Sequence, residues 1–115
     1  MSAKKKCYIS VPITGRDGDA VEADIIYASA LVGKLGYEAV DPTSVEVQPD
    51  GESDYATCMG NCIRALLECD AIFMCNGWER SKGCRAEFEV AKVYGLVKYG
   101  IYKSKGEGER IITYQ

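Results

Sequence analysis

The stretch Ala71-Ile72-Phe73-Met74-Cys75 is five apolar residues without a polar interruption, and a run of that length and composition predicts a central strand of a parallel sheet, buried on both faces. A strand covered on both sides requires helices above and below it. The rest of the chain supplies them. Cys7-Tyr8-Ile9-Ser10-Val11 is a β-rich run stopped by Pro12, and from about Ala20 to Leu35 the apolar residues Ile25, Ala28, Leu31, Val32 and Leu35 recur at helical spacing, with Gly36 placed as a helix C′ residue. Tyr37 to Val40 predicts a second strand, ended by Asp41-Pro42, and a polar loop follows through Ser53. Ser53 or Asp54 is a suitable cap for a helix from Tyr55 to Leu67, with Met59, Ile63, Leu66 and Leu67 as its apolar positions. After the central strand come a loop from Asn76 to Gly83 and a helix from Cys84 to Tyr94 that offers Phe88, Ala91 and Val93 or Tyr94 for burial. Leu96 to Tyr102 predicts a fourth strand, and Arg110 to Tyr114 a short edge strand.

Alternating strands and helices give a three-layer α/β fold of the flavodoxin or Rossmann kind: a parallel sheet of about five strands with helices on both faces. At 115 residues the chain is read as a single domain spanning 1–115. Its core is large enough to need no disulfide or metal staple. The six cysteines (Cys7, Cys58, Cys62, Cys69, Cys75, Cys84) fall within apolar periodic segments without a C-x-x-C pair, so they are read as reduced thiols, and a zinc site is not expected. With 14 Lys+Arg against 17 Asp+Glu, and Lys4-Lys5-Lys6 as the sole basic cluster, a nucleic-acid partner is not expected. No apolar run reaches membrane-spanning length and no signal-peptide pattern is present, so the expectation is no membrane partner and a cytoplasmic protein. Histidine is absent, which excludes Ser-His-Asp and Cys-His nucleophile systems and leaves acid–base work to carboxylates, Tyr, Cys or Lys.

Ligands of open parallel α/β sheets bind beyond the carboxyl ends of the strands. Three loops are therefore expected to converge on one cleft: Pro12 to Gly18, Asp41 to Ser53 and Asn76 to Gly83. Ser81-Lys82-Gly83 opens a helix, where free N–H groups, the helix dipole and a hydroxyl can receive a phosphate, although an ordinary Ser81 N-cap explains the same residues. Glu87, one turn later, suits a nucleophile or base, or simply an acid favoured by the helix N-terminus. Cys62 is a reactive thiol or a packed one. Trp78 either stacks on a base or sugar or folds onto the surface. Lys82 and Arg85 are candidates for attracting an anion, or are solvated charges. Asp70, at the amino end of its strand, is read as structural.

Taken together, Tyr8-Ile9-Ser10-Val11-Pro12-Ile13-Thr14-Gly15, Cys69-Asp70-Ala71-Ile72 and Gly77-Trp78-Glu79-Arg80-Ser81-Lys82-Gly83 followed by Glu87 resemble the nucleoside 2-deoxyribosyltransferase-like superfamily, in its small bacterial and phage branch related to the 2′-deoxynucleoside 5′-phosphate N-hydrolases. The resemblance covers nearly the whole chain. It implies cleavage or transfer at the N-glycosidic bond of a nucleoside or nucleoside 5′-monophosphate, with Glu87 as the nucleophile and Tyr8 beside it. It also implies Ile13 and Gly15 as ligand contacts and Ser81 and Gly83 as a phosphate-binding turn. No cofactor or metal is implied, and a homodimer or larger oligomer is. The superfamily pattern places an aspartate where this chain has Cys62, with Asp50, Glu52 and Asp54 as nearby substitutes, and a small residue at Arg85. The alternative reading is a catalytically silent module that binds a nucleotide in the same cleft; a third is an interaction protein without a ligand.

Overall fold

The structure, a computed structural model, describes residues 4–45, 55–106 and 108–115. Its elements run β1 (Lys6–Ser10), α1 (Gly18–Lys34), β2 (Glu38–Val40), α2 (Tyr55–Leu67), β3 (Ala71–Met74), α3 (Lys82–Val93), β4 (Val97–Ser104) and β5 (Gly108–Tyr114), with short 3₁₀ turns at Pro42–Val45 and Trp78–Arg80. All five strands form one sheet in the order β2-β1-β3-β4-β5. The apolar run after Asp70 becomes β3, every residue of which is buried between β1 and β4.

Residues β1 to β4 pair in parallel, with Tyr8 opposite Val40 on one side and Ile72 on the other, and Phe73 opposite Tyr99. The fifth strand corrects the expectation of a parallel sheet: β5 runs antiparallel to β4, with Lys98 opposite Tyr114 and Tyr102 opposite Arg110. The cause is the connection. Only residues 105–107 separate β4 from β5, whereas a parallel return needs a crossover of about a dozen residues or more.

Side-chain alternation along β1 divides the core in two. Cys7, Ile9 and Val11 point to one face and pack with Val21, Ile25, Ala28 and Val32 of α1. Tyr8 points to the other and packs with Cys62 and Leu66 of α2 and Cys84 and Ala91 of α3. Helices therefore cover both faces, as expected. The helical periodicity overreaches at the ends: Leu35, Leu67, Val93 and Tyr94, each in or just past the last turn of its helix, are exposed.

A chain order of 2-1-3-4 requires the first crossover to go one way from β1 and the next to go the other, so α1 lies on one face and α2 and α3 on the opposite one. The two connections diverge at the carboxyl ends of β1 and β3. That divergence opens a crevice in which a ligand can reach backbone and side chains from both strands.

Candidate active site

Those strand ends frame an open cavity of about 1220 Å³. Its walls are the segment after β1 (Val11 to Thr14, and Arg16), Pro42 after β2, the turn after β3 (Asn76, Gly77, Arg80), the start of α3 (Ser81 to Cys84) and the first half of α2 (Tyr55, Cys58, Met59, Cys62). Tyr8 and Glu87 line it from below. The loops expected to converge do so where the structure describes them. The stretch from 46 to 54 holds the expected caps Ser53 and Asp54 and the acids Asp50 and Glu52, and lies outside the described residues.

At the base of the cavity Glu87 is 5% exposed, an unusual burial for a carboxylate on a helix whose N-terminus alone would favour acids at the surface. Both of its oxygens accept short hydrogen bonds from β1. The Tyr8 hydroxyl donates to Oε2 at 2.7 Å, and the Ser10 hydroxyl donates to Oε1 at 2.7 Å. Two hydroxyl donors, one to each oxygen, favour the charged form of a carboxylate over the neutral acid. Burial, the Glu87 charge and the neighbouring Cys62 thiol all push the Tyr8 phenol above its ordinary value, so Tyr8 stays protonated as a donor.

Ser81 caps α3, its hydroxyl accepting from the Cys84 N–H at 3.3 Å, an interaction worth about 1 kcal/mol to a helix. The Cys84 thiol is pushed up by burial and drawn partly back by the hydroxyls of Ser10 and Ser81. Before this cap, Gly77 adopts φ +83°, a left-handed conformation that side-chain-bearing residues rarely take, and so turns the chain from β3 into the 3₁₀ segment. At Gly83 a Cβ would make ordinary contact with Met59 Sδ at 3.4 Å and the Tyr55 hydroxyl at 3.5 Å, so this glycine lies against the start of α2 without being required by packing. Across the cavity, Arg16 donates to the Pro12 carbonyl and to Asp24 Oδ2, each at 2.8 Å, which fixes the loop after β1.

Of the residues singled out from the sequence, Tyr8, Ile13, Cys62, Ser81, Gly83 and Glu87 line this one cavity. Gly15 and Trp78 do not. Trp78 is drawn away because its ring stacks on Phe88, with centroids 4.6 Å apart, and its Nε1 donates to the Tyr114 hydroxyl at 3.4 Å. It borders a separate groove with Lys82, Arg85 and Phe88 instead. Asp70 is structural, its carboxylate accepting from the Lys6 N–H at 2.9 Å at the far end of the sheet. Sequence reasoning missed Ser10, Arg16 and Tyr55. The signal for Ser10 was available: it lies two residues after Tyr8 and so on the same face of β1. Among the described residues no group of three or more metal-ligating side chains converges.

Residues 5–99 match the family model of a domain of unknown function, DUF4406. The chain belongs to this family. The DUF4406 description itself carries no activity, and no curated protein matches the chain. Solved structures are more informative about the fold. The DUF4406 chain is similar to a 2-deoxyribosyltransferase from the psychrotolerant bacterium Bacillus psychrosaccharolyticus, with a TM-score of 0.62 at 13% identity over 81% of this chain and 69% of that one. It is similar also to a 2-deoxyribosyltransferase from Leishmania mexicana, with a TM-score of 0.63 at 18% identity over 96% of this chain and 79% of the other. The fold of this DUF4406 member is thus 2-deoxyribosyltransferase-like, as its sequence motifs suggested.

Proposed function

We propose that this protein cleaves the N-glycosidic bond of a nucleoside or nucleoside 5′-monophosphate, or transfers its deoxyribosyl group, with Glu87 as the nucleophile. The observation that carries the reading is a buried carboxylate, held by the Tyr8 hydroxyl at 2.7 Å, at the base of an open cavity. Support comes from the fold shared with two 2-deoxyribosyltransferases. Desolvation at that depth costs a carboxylate on the order of several kcal/mol unless its partners compensate, and the Tyr8 and Ser10 hydroxyls are such partners.

In the first step a Glu87 oxygen bonds to the anomeric carbon as the bond from that carbon to the base nitrogen breaks. The electron pair leaves with the base, which takes up a proton from solvent, matched in the second step by the proton that the attacking water or incoming base gives up. The resulting glycosyl ester is then opened by water in hydrolysis or by a second base in transfer, which returns Glu87 as a carboxylate. The Ser81-Lys82-Gly83 turn, with Arg80 next to it in sequence and Arg16 lining the same cavity, suits a 5′-phosphate through the helix N-terminus and its cationic neighbours. Ile13 and Tyr55 offer apolar contact for a base at the mouth. The fold family implies a homodimer or larger assembly, and a soluble cytoplasmic setting fits the chain's composition.

The test is incubation with a panel of nucleosides and 5′-nucleotides, reading free base by chromatography and bound ligand by mass spectrometry of the washed protein. Base released by the natural protein and lost in Glu87→Gln supports the reading; base released equally by both overturns it. One observation favours a second reading, a binder without turnover: Cys62, 5% exposed and beside the Tyr8 hydroxyl, occupies the position at which the superfamily pattern has an aspartate. That reading expects intact ligand retained on the protein with no free base.

A further inference from the structure

We propose that Ser10 is a positioning residue that aims the Glu87 carboxylate and keeps it ionised, an inference that rests on Glu87 being the nucleophile. Ser10 is fully buried, on the face of β1 that otherwise carries Tyr8 into the apolar cluster beneath α2 and α3. A hydroxyl taken out of water at such a place costs free energy unless it is bonded. It is spent on Glu87 Oε1, at 2.7 Å.

The geometry explains what the second donor adds. The terminal torsion of a glutamate is broad and roughly two-fold, so a donor on each oxygen restricts the carboxylate plane more than a donor on one. With Tyr8 on Oε2 and Ser10 on Oε1 the plane is fixed by two points. Both points belong to one strand, paired with neighbours on each side, in which Ser10 faces Met74. Ser10 is thus the stiffer anchor, having one side-chain torsion before its oxygen. The bond also favours the charged form of Glu87 and so opposes the effect of burial, which favours the neutral acid. Loss of the Ser10 hydroxyl raises the pKa of Glu87, and a nucleophile that must be deprotonated then fails at a higher pH.

The experiment compares the natural protein with Ser10→Ala and Ser10→Thr. Rates of base release are followed across about pH 4 to 9, and the Glu87 carboxyl is followed by ¹³C NMR over the same range, its signal identified by its absence in Glu87→Gln. In Ser10→Ala, kcat falls about 10- to 100-fold with KM within about twofold, and the acid limb moves up by about one pH unit, as for a lost hydrogen bond to a charged group. The Glu87 signal titrates upward by the same amount, and Ser10→Thr, which restores a hydroxyl, moves both back. An acid limb and a Glu87 titration unchanged in Ser10→Ala overturn the proposal. If the natural protein releases no base from any substrate, the catalytic reading fails, and the NMR titration still decides whether Ser10 holds the carboxylate ionised. Should Ser10→Ala not fold, Ser10→Cys, of similar size and a weaker donor, takes its place with a smaller upward shift expected and no shift counting against the proposal.

Discussion

A thiol and a carboxylic acid differ in what they can hand to a departing base, with ordinary pKa values of about 8.5 and about 4. Cys62 lies in the cavity wall, buried, with its thiol next to the Tyr8 hydroxyl that holds Glu87. An aspartate at that position would share the cavity with Glu87, and like charges at close range drive one carboxyl upward, toward the range where it is an acid at neutral pH. Cys62→Asp is therefore expected to increase base release by about tenfold or more, within the range for a general acid. It is also expected to lower the melting temperature, because a second carboxyl must be desolvated. Chromatography of the free base and thermal unfolding of the same preparation check both effects. A lower melting temperature without faster release would place the proton donor on another group, with Asp50, Glu52 and Asp54 the first to substitute.

Among the elements, the β4–β5 hairpin bears on the site through one glycine. Tyr114, opposite Lys98, lays its ring over Gly100, where a Cβ would come within 2.5 Å of Cε2. The same ring packs edge-on against Phe88 and Trp78, so it cannot swing aside without disturbing the stack that backs α3. Gly100→Ala is expected to destabilise the protein by about 1 to 3 kcal/mol, the usual cost of overpacking, despite the better strand propensity of alanine. Urea unfolding of Gly100→Ala, Tyr114→Ala and the double variant checks this, since the cost of the alanine should largely vanish once the ring is gone. The hairpin also marks where sequence reading stops. The apolar run Ala71 to Cys75 and the helical spacings around Ile25 and Leu66 announce β3, α1 and α2 because their patterns are local. The direction of β5 depends on a three-residue connection. The stack of Trp78 on Phe88 joins positions ten apart, through a turn whose path no periodicity encodes. Within the site, Glu87 and Tyr8 were legible from motif and resemblance, while for Ser10 the strand alternation gives only the face it shares with Tyr8 and not its partner, which lies 77 positions away.

At the scale of the whole molecule, two connections leaving the sheet on opposite faces create both the cavity and a core rich in titratable groups that stay neutral. The thiols of Cys7 and Cys75 are each pushed from 9.0 to about 12, chiefly by burial, and Cys69 to about 11. The Tyr8 phenol is pushed up as well, by burial and by Glu87. These shifts fix the sign of an alkaline effect. Below pH 9 the thiols are neutral whether the chain is folded or not, and they contribute nothing to the pH dependence. Between 9.0 and about 12 the unfolded chain releases their protons while the folded chain keeps them. The unfolded chain then binds fewer protons than the folded one, so stability falls as pH rises, at up to about 1.4 kcal/mol per pH unit for each such group. Urea midpoints should hold nearly level from about pH 7 to 8.5 and then drop steeply. Cys7→Ala with Cys75→Ala should flatten the slope above pH 9 even if it lowers the plateau, because the cavity penalty is independent of pH and the ionisation penalty is not. An unchanged slope in that double variant would mean that those thiols do not hold their protons through the alkaline window.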